Sequence, residues 1–158
     1  MESMRLKYLG HSIVFQEVPD EISLAINISG CPYKCRGCHS SYLWEYKGRY
    51  ISDDLEELIK QTDGITCVCF MGGDQNRQEL KSLIDIVHFH NLKCCLYTGS
   101  DIFSTEDIID LQLDYVKVGG YIEEFGGLHS KNTNQKFFKV SDNKIEDITY
   151  RFQRRDIC

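Results

Sequence analysis

The hydrophobic pattern divides the chain into short runs of two different periods. Residues 5–18 alternate loosely, with Leu6, Tyr8, Ile13 and Phe15 apolar, and read as a strand or hairpin closed by Pro19. Residues 22–28 form a better strand that ends at Ser29-Gly30. Ser52-Asp-Asp-Leu-Glu56 opens a helix, with Ser52 as its expected cap and the acids at the positive end of the dipole. Leu55, Leu58 and Ile59 supply its apolar face, and Gly64 stops it. The run from Ile65 to Met71 is nearly continuous in apolar residues, as expected of a strand covered on both faces. Gly72-Gly73-Asp74 follows at once. Leu80, Leu83, Ile84 and Val87 recur at three- and four-residue steps and predict a helix over 77–90. A strand over 93–97 ends at Thr98-Gly99, a helix covers 105–111, and a strand over 114–118 stops at Gly119-Gly120.

Strands alternating with helices predict a parallel sheet with right-handed crossovers. A closed eight-fold barrel takes roughly 250 residues, and this chain has 158. The expected α/β architecture is therefore an open or partial (β/α) barrel with a mainly parallel sheet. It is read as a single domain over 1–158, with a core at about 13–138 and a C-terminal tail at about 141–158. Ligands in such folds gather beyond the C-terminal ends of the strands. The cysteine cluster after one strand, Gly72-Gly73-Asp74 after the next and Thr98-Gly99 after the third all fall there.

Composition narrows the class. With 42% apolar and 27% charged residues the chain is neither disordered nor low in complexity. A net charge of −6 gives no footprint for a nucleic-acid backbone. No apolar run approaches the ~18 residues of a membrane span, and Met1-Glu2-Ser3-Met4-Arg5 lacks a secretory pattern. The expectation is a cytoplasmic protein that meets neither nucleic acid nor membrane. In that compartment eight cysteines point to metal or redox chemistry before a disulfide framework.

Cys31, Cys35 and Cys38 lie within eight residues, followed by His39. Thiolates are soft ligands for zinc or iron–sulfur clusters. A cubane cluster is commonly held by four cysteines, so three with no evident fourth would leave one iron open to a substrate or cofactor. Four other readings stand beside this one. Zinc could take the three thiolates plus His39. Cys35-x-x-Cys38-His39 fits a c-type haem attachment pattern. Cys35-x-x-Cys38 alone could be a redox pair, and the clustering could be chance.

The wider pattern resembles the radical S-adenosylmethionine enzymes: Cys-x₃-Cys-x₂-Cys after one strand, and Gly72-Gly73-Asp74 at the end of the next. More narrowly, several features together resemble the anaerobic ribonucleoside-triphosphate reductase activating proteins, a family of glycyl-radical-enzyme activases. These are Gly30-Cys-Pro-x₂-Cys-x-Gly-Cys-His39 with Trp44 beyond, Met71-Gly-Gly-Asp74, Tyr97-Thr-Gly99 and Asn134-Gln135. The resemblance implies a 4Fe–4S cluster on Cys31, Cys35 and Cys38, which are then both metal ligands and catalytic residues. It implies S-adenosylmethionine as cofactor, with Gly72, Gly73 and Asp74 at its methionine end and Tyr33, Gly37 and Thr98 among its further contacts. The implied activity is reductive cleavage of that cofactor to methionine and a 5′-deoxyadenosyl radical, which takes a hydrogen from a glycine of the large reductase subunit. An electron donor such as flavodoxin completes the set of partners. Two positions depart from common patterns. Gly37 stands where many radical enzymes carry an aromatic residue, and Val118-Gly119-Gly120 stands where the family often has Asp-Gly. Lys131-Asn-Thr-Asn-Gln135 resembles the family's Ser-Ser-Asn-Gln signature only loosely. Activation of another glycyl-radical enzyme such as pyruvate formate-lyase, or a non-catalytic zinc or iron–sulfur module, are the alternative functions.

The remaining candidates read as structural. His88 and His90 do not share a helix face, and His11 and His129 stand alone. Cys67 and Cys69 point to one face of their strand, Cys94 and Cys95 to opposite faces, and all four read as small buried hydrophobes. Trp44 reads as core before it reads as a cover for the cysteine loop. Cys158 is expected at an exposed end, and Arg151, Arg154 and Arg155 as a solvated tail.

Overall fold

The computed structural model describes residues 4–33 and 41–153. Its elements in chain order are β1 (Lys7–Val14), β2 (Ser23–Ile28), β3 (Arg49–Tyr50), α1 (Ile51–Gln61), β4 (Cys67–Met71), α2 (Arg77–Phe89), β5 (Lys93–Tyr97), α3 (Thr105–Asp110), β6 (Tyr115–Val118), β7 (Lys136–Ser141) and β8 (Lys144–Asp147). Short 3₁₀ turns add Ser41–Leu43 and Thr149–Phe152. All eight strands form one sheet in the order β3-β1-β2-β4-β5-β6-β7-β8.

The expected barrel is not what forms. Only β2, β4, β5 and β6 run parallel, joined through α1, α2 and α3. The other four pairings, β1 with β2, β1 with β3, β6 with β7 and β7 with β8, are antiparallel. The result is a mixed, strand-dominated sheet with three short helices, and β3 and β8 remain as its two edges. The physical reason is at the flanks. β1 folds back on β2 before any crossover begins, and β7 turns into β8 through Asp142 and Asn143, both at positive φ (50° and 63°). Two such residues make the turn that suits a two-residue hairpin. The segment read as a tail from residue 141 thus supplies β8 and a final 3₁₀ turn.

Strand alternation sorts side chains onto two faces. Leu24, Ile26, Val68, Phe70, Leu96 and Val116 pack with the apolar faces of α1, α2 and α3 in one core. On the other face Cys67, Cys69, Cys95, Tyr115 and Phe137 pack under Val18, Leu128, Ile148 and Phe152. Cys94 joins the helix side and Cys95 the opposite side, as the alternation requires. Helix α2 is capped by Asn76, whose side chain accepts from the Glu79 N–H, and α3 by a reciprocal Ser104–Asp107 box. Ser52 does not cap α1: the helix begins at Ile51, which is fully buried, and the Ser52 hydroxyl accepts from Arg5 instead. His88 pairs with Asp114, Arg151 forms a two-pronged pair with Asp20, and Arg154, Arg155 and Cys158 lie outside the described residues.

One buried charge sits at the end of the sheet away from the cysteine loop. The Glu21 carboxylate accepts from Tyr115 Oη at 2.7 Å and Lys93 Nζ at 3.1 Å. Burial alone pushes its carboxyl up, but hydrogen bonds from Tyr115, Thr66 and Lys93 together outweigh it and hold it below its ordinary value. A depressed carboxyl contributes stability that is full above the unfolded value of about 4.3 and is lost as pH falls through the folded one. Tyr115→Phe should therefore cost about 1–2 kcal/mol at pH 7, and the deficit should shrink as urea unfolding is repeated towards pH 3. An equal deficit at both pH values would assign the loss to packing alone.

Candidate functional site

The loops that follow β2, β4, β5 and β6 meet at the C-terminal edge of the parallel strands, around a cavity of about 320 Å³. Each wall comes from a different strand end. After β2, Ser29 Oγ donates to the Lys47 carbonyl at 2.5 Å, which pins the departing chain to the returning one. The Cys31 N–H donates to the Leu43 carbonyl at 3.0 Å, so both arms of the cysteine loop are tied at its base. Cys31 is half-buried and lines the cavity.

After β4 the chain turns through Gly72 and Gly73, at φ 103° and 118°. Residues with a Cβ avoid that region, so the two glycines are needed for the turn itself. The Gly73 N–H donates to Gln75 Oε1, and Gln75 Nε2 donates to the Ser29 carbonyl, which ties this turn to the start of the cysteine loop. The geometry delivers Asp74 to the cavity wall. Its Oδ2 accepts from Tyr33 Oη at 2.6 Å and from Thr98 Oγ1 at 2.8 Å. Thr98 is buried behind Asp74 and accepts in turn from the Ser100 N–H. Among the described residues both bonds to the carboxylate fall on one oxygen, which leaves Oδ1 as the atom to offer a ligand. Burial pushes the Tyr33 phenol up, and its bond to Asp74 adds to that. Tyr33 keeps its proton and donates.

Opposite in charge, Lys117 also lines the cavity. It is 9% exposed, and its Nζ donates to the carbonyls of Thr98 and Gly119 at 3.1 and 3.0 Å. Gln135 stands beside it, its Nε2 donating to the Gly119 carbonyl at 3.3 Å. The cavity therefore presents a carboxylate and an ammonium between apolar walls that include Met71, Leu43 and Trp44. Trp44 is half-buried in that lining and is not a core residue. Such a pair of opposite charges suits a zwitterion.

Of the residues singled out in the sequence, Cys31, Tyr33, Gly72 and Asp74 line this cavity, while Gly73 forms the turn and Thr98 supports Asp74. Cys35, Gly37, Cys38 and His39 lie outside the described residues. Among the described residues, no group of three or more His, Cys, Asp or Glu side chains is placed to hold a metal. Cys67, Cys69, Cys94 and Cys95 are wholly buried, and burial pushes the Cys67, Cys94 and Cys95 thiols well up. They pack within the two cores that flank the sheet. Asn134 donates to the Gly120 carbonyl, while its buried Oδ1 has no partner among the described residues. Gln135 was read only as part of the loosely matching 131–135 segment, and Lys117 was not found by sequence reasoning. Alternation along Tyr115-Val-Lys-Val118 does place a lysine on an otherwise buried face, which is the signal that would have found it.

A family model described as a 4Fe-4S single cluster domain matches residues 22–145, from the lead into β2 to the start of β8. The chain belongs to the 4Fe-4S single cluster domain family. No curated protein and no solved structure matches it. As a 4Fe-4S single cluster domain, the chain has the first of its candidate ligands, Cys31, on the cavity wall, and its zinc, haem and thiol-pair readings give way to an iron–sulfur one. Among the described residues no helix is long and apolar enough to cross a membrane.

Proposed function

We propose that the protein is a radical S-adenosylmethionine activase that generates the glycyl radical on an anaerobic ribonucleoside-triphosphate reductase. The observation that carries this reading is the placing of Cys31, Asp74 and Lys117 on one cavity. Three thiolates, Cys31, Cys35 and Cys38, make a soft donor set that fits a 4Fe–4S cluster and leaves one iron without a cysteine. Held through Cys31, Cys35 and Cys38, the cluster would supply the electron for reductive cleavage of S-adenosylmethionine to methionine and a 5′-deoxyadenosyl radical, for which a glycine of the partner would be the hydrogen donor.

The chain's own residues position that chemistry and keep water from it. Asp74 Oδ1 accepts the cofactor's ammonium, held in place by the Tyr33 and Thr98 bonds to Oδ2. Lys117, kept at the cavity by two carbonyls, faces the carboxylate end. Met71, Leu43 and Trp44 give the apolar wall. The electron comes from a donor such as flavodoxin, and the glycine from the large reductase subunit.

Mixed anaerobically with that subunit, reductant and S-adenosylmethionine, the wild-type protein should produce a glycine-centred doublet in electron spin resonance. Cofactor cleavage with no radical on the reductase would retain the radical chemistry and reject this partner.

A further inference from the structure

We infer that Tyr33 is a positioning residue that couples the Cys31–Tyr33 arm to the ligand-binding carboxylate, so that ordering one orders the other. This deepens the proposed function and rests on reading residues 31–38 as the cluster loop. Tyr33 leaves the loop two residues after Cys31 and reaches across the cavity to two other strand ends. Its Oη donates to Asp74 Oδ2 at 2.6 Å, on the turn after β4. Its ring lies against Gly99, on the turn after β5. A Cβ on Gly99 would fall 2.7 Å from Tyr33 Cδ2, so a larger residue there would push the ring away.

The two attachments act on different parts of the site. The Cys31 N–H is fixed by the Leu43 carbonyl and the Tyr33 side chain by Asp74, so the loop is held on both sides of Pro32. The Asp74 carboxylate, for its part, is oriented by Thr98 and Tyr33 together on one oxygen. A hydrogen bond shared between two sites makes their coupling reciprocal. A slack Cys31–Tyr33 arm loosens Asp74, and a misplaced Asp74 loosens that arm. Tyr33 thereby joins cluster loading to ligand recognition without contacting either reacting atom.

Two readouts test this. In cluster-free protein, amide exchange at Cys31 should rise about fivefold in Tyr33→Phe, the scale of one ordinary hydrogen bond. Asp74→Ala should raise it by a similar factor, and the double variant by no more than either single one, because both remove the same bond. Gly99→Ala, which displaces the ring and leaves both polar partners in place, should give the same rise. Exchange at Leu96, deep in the core, should not move. In cluster-loaded protein, Tyr33→Phe should release iron to a chelator about fivefold faster. Unchanged exchange at Cys31, or single effects that multiply in the double variant, overturns the coupling. A wild-type protein that takes up no iron overturns the cluster reading instead, and leaves the exchange result standing.

Discussion

Replacing any one of Cys31, Cys35 and Cys38 with Ala should leave reconstituted protein without its iron–sulfur absorbance and without bound iron above background. The expectation follows from ligand number. A cubane held by three thiolates has no protein ligand to spare, and the other cysteines within the described residues cannot substitute. Cys67, Cys69, Cys94 and Cys95 are fully buried in the sheet, and desolvation raises the Cys67, Cys94 and Cys95 thiols away from the thiolate that a metal needs. Ala at those four positions should keep the cluster, whatever it does to packing. Retention of the full iron content by the triple variant of Cys31, Cys35 and Cys38 would move the ligands elsewhere.

Asp74→Ala should weaken S-adenosylmethionine binding about ten- to a hundredfold, the range for one hydrogen bond to a charged group. The cluster iron should remain after this change. The carboxylate is placed by a glycine turn and by two donors that converge on Oδ2, so little reorganisation is needed when an ammonium approaches Oδ1. Asp74→Asn should fall between, since an amide oxygen still accepts but carries no charge. Calorimetric titration of anaerobic, cluster-loaded protein separates the cases. An affinity equal to the wild type would reduce Gly72-Gly73-Asp74 to a plain turn.

The parallel centre of the fold was legible because its signals are local. Continuous apolar runs mark β2, β4 and β5, and three- and four-residue spacing marks α2. The antiparallel flanks were not, because strand pairing is a non-local choice. β3 has only Arg49 and Tyr50, and its partner is forty residues earlier on β1. The β7–β8 hairpin did carry a local signal, Asp142-Asn143 at positive φ, while the expectation of a mainly parallel barrel came from the alternation of strands with helices in the centre of the chain. Helix α1 begins before Ser52 because burial of Ile51 outweighs capping propensity. At the site, Cys31 and the glycine turn were readable, since each follows directly on the end of a strand marked by its apolar run. The cavity's ammonium was hidden inside a strand. Lys117 is a charged residue among Tyr115, Val116 and Val118, and its burial is compensated by the carbonyls of Thr98 and Gly119 and by the Tyr97 ring beneath it.

The central claim is that this cavity cleaves S-adenosylmethionine reductively. Its most direct test is to reduce anaerobically reconstituted protein, add S-adenosylmethionine alone, and quantify 5′-deoxyadenosine and methionine by chromatography. The account predicts both products in equal amounts from the wild type, and none from Cys35→Ala. A wild-type protein that carries its cluster, binds S-adenosylmethionine and returns it uncleaved would contradict the account and leave a non-catalytic 4Fe–4S module.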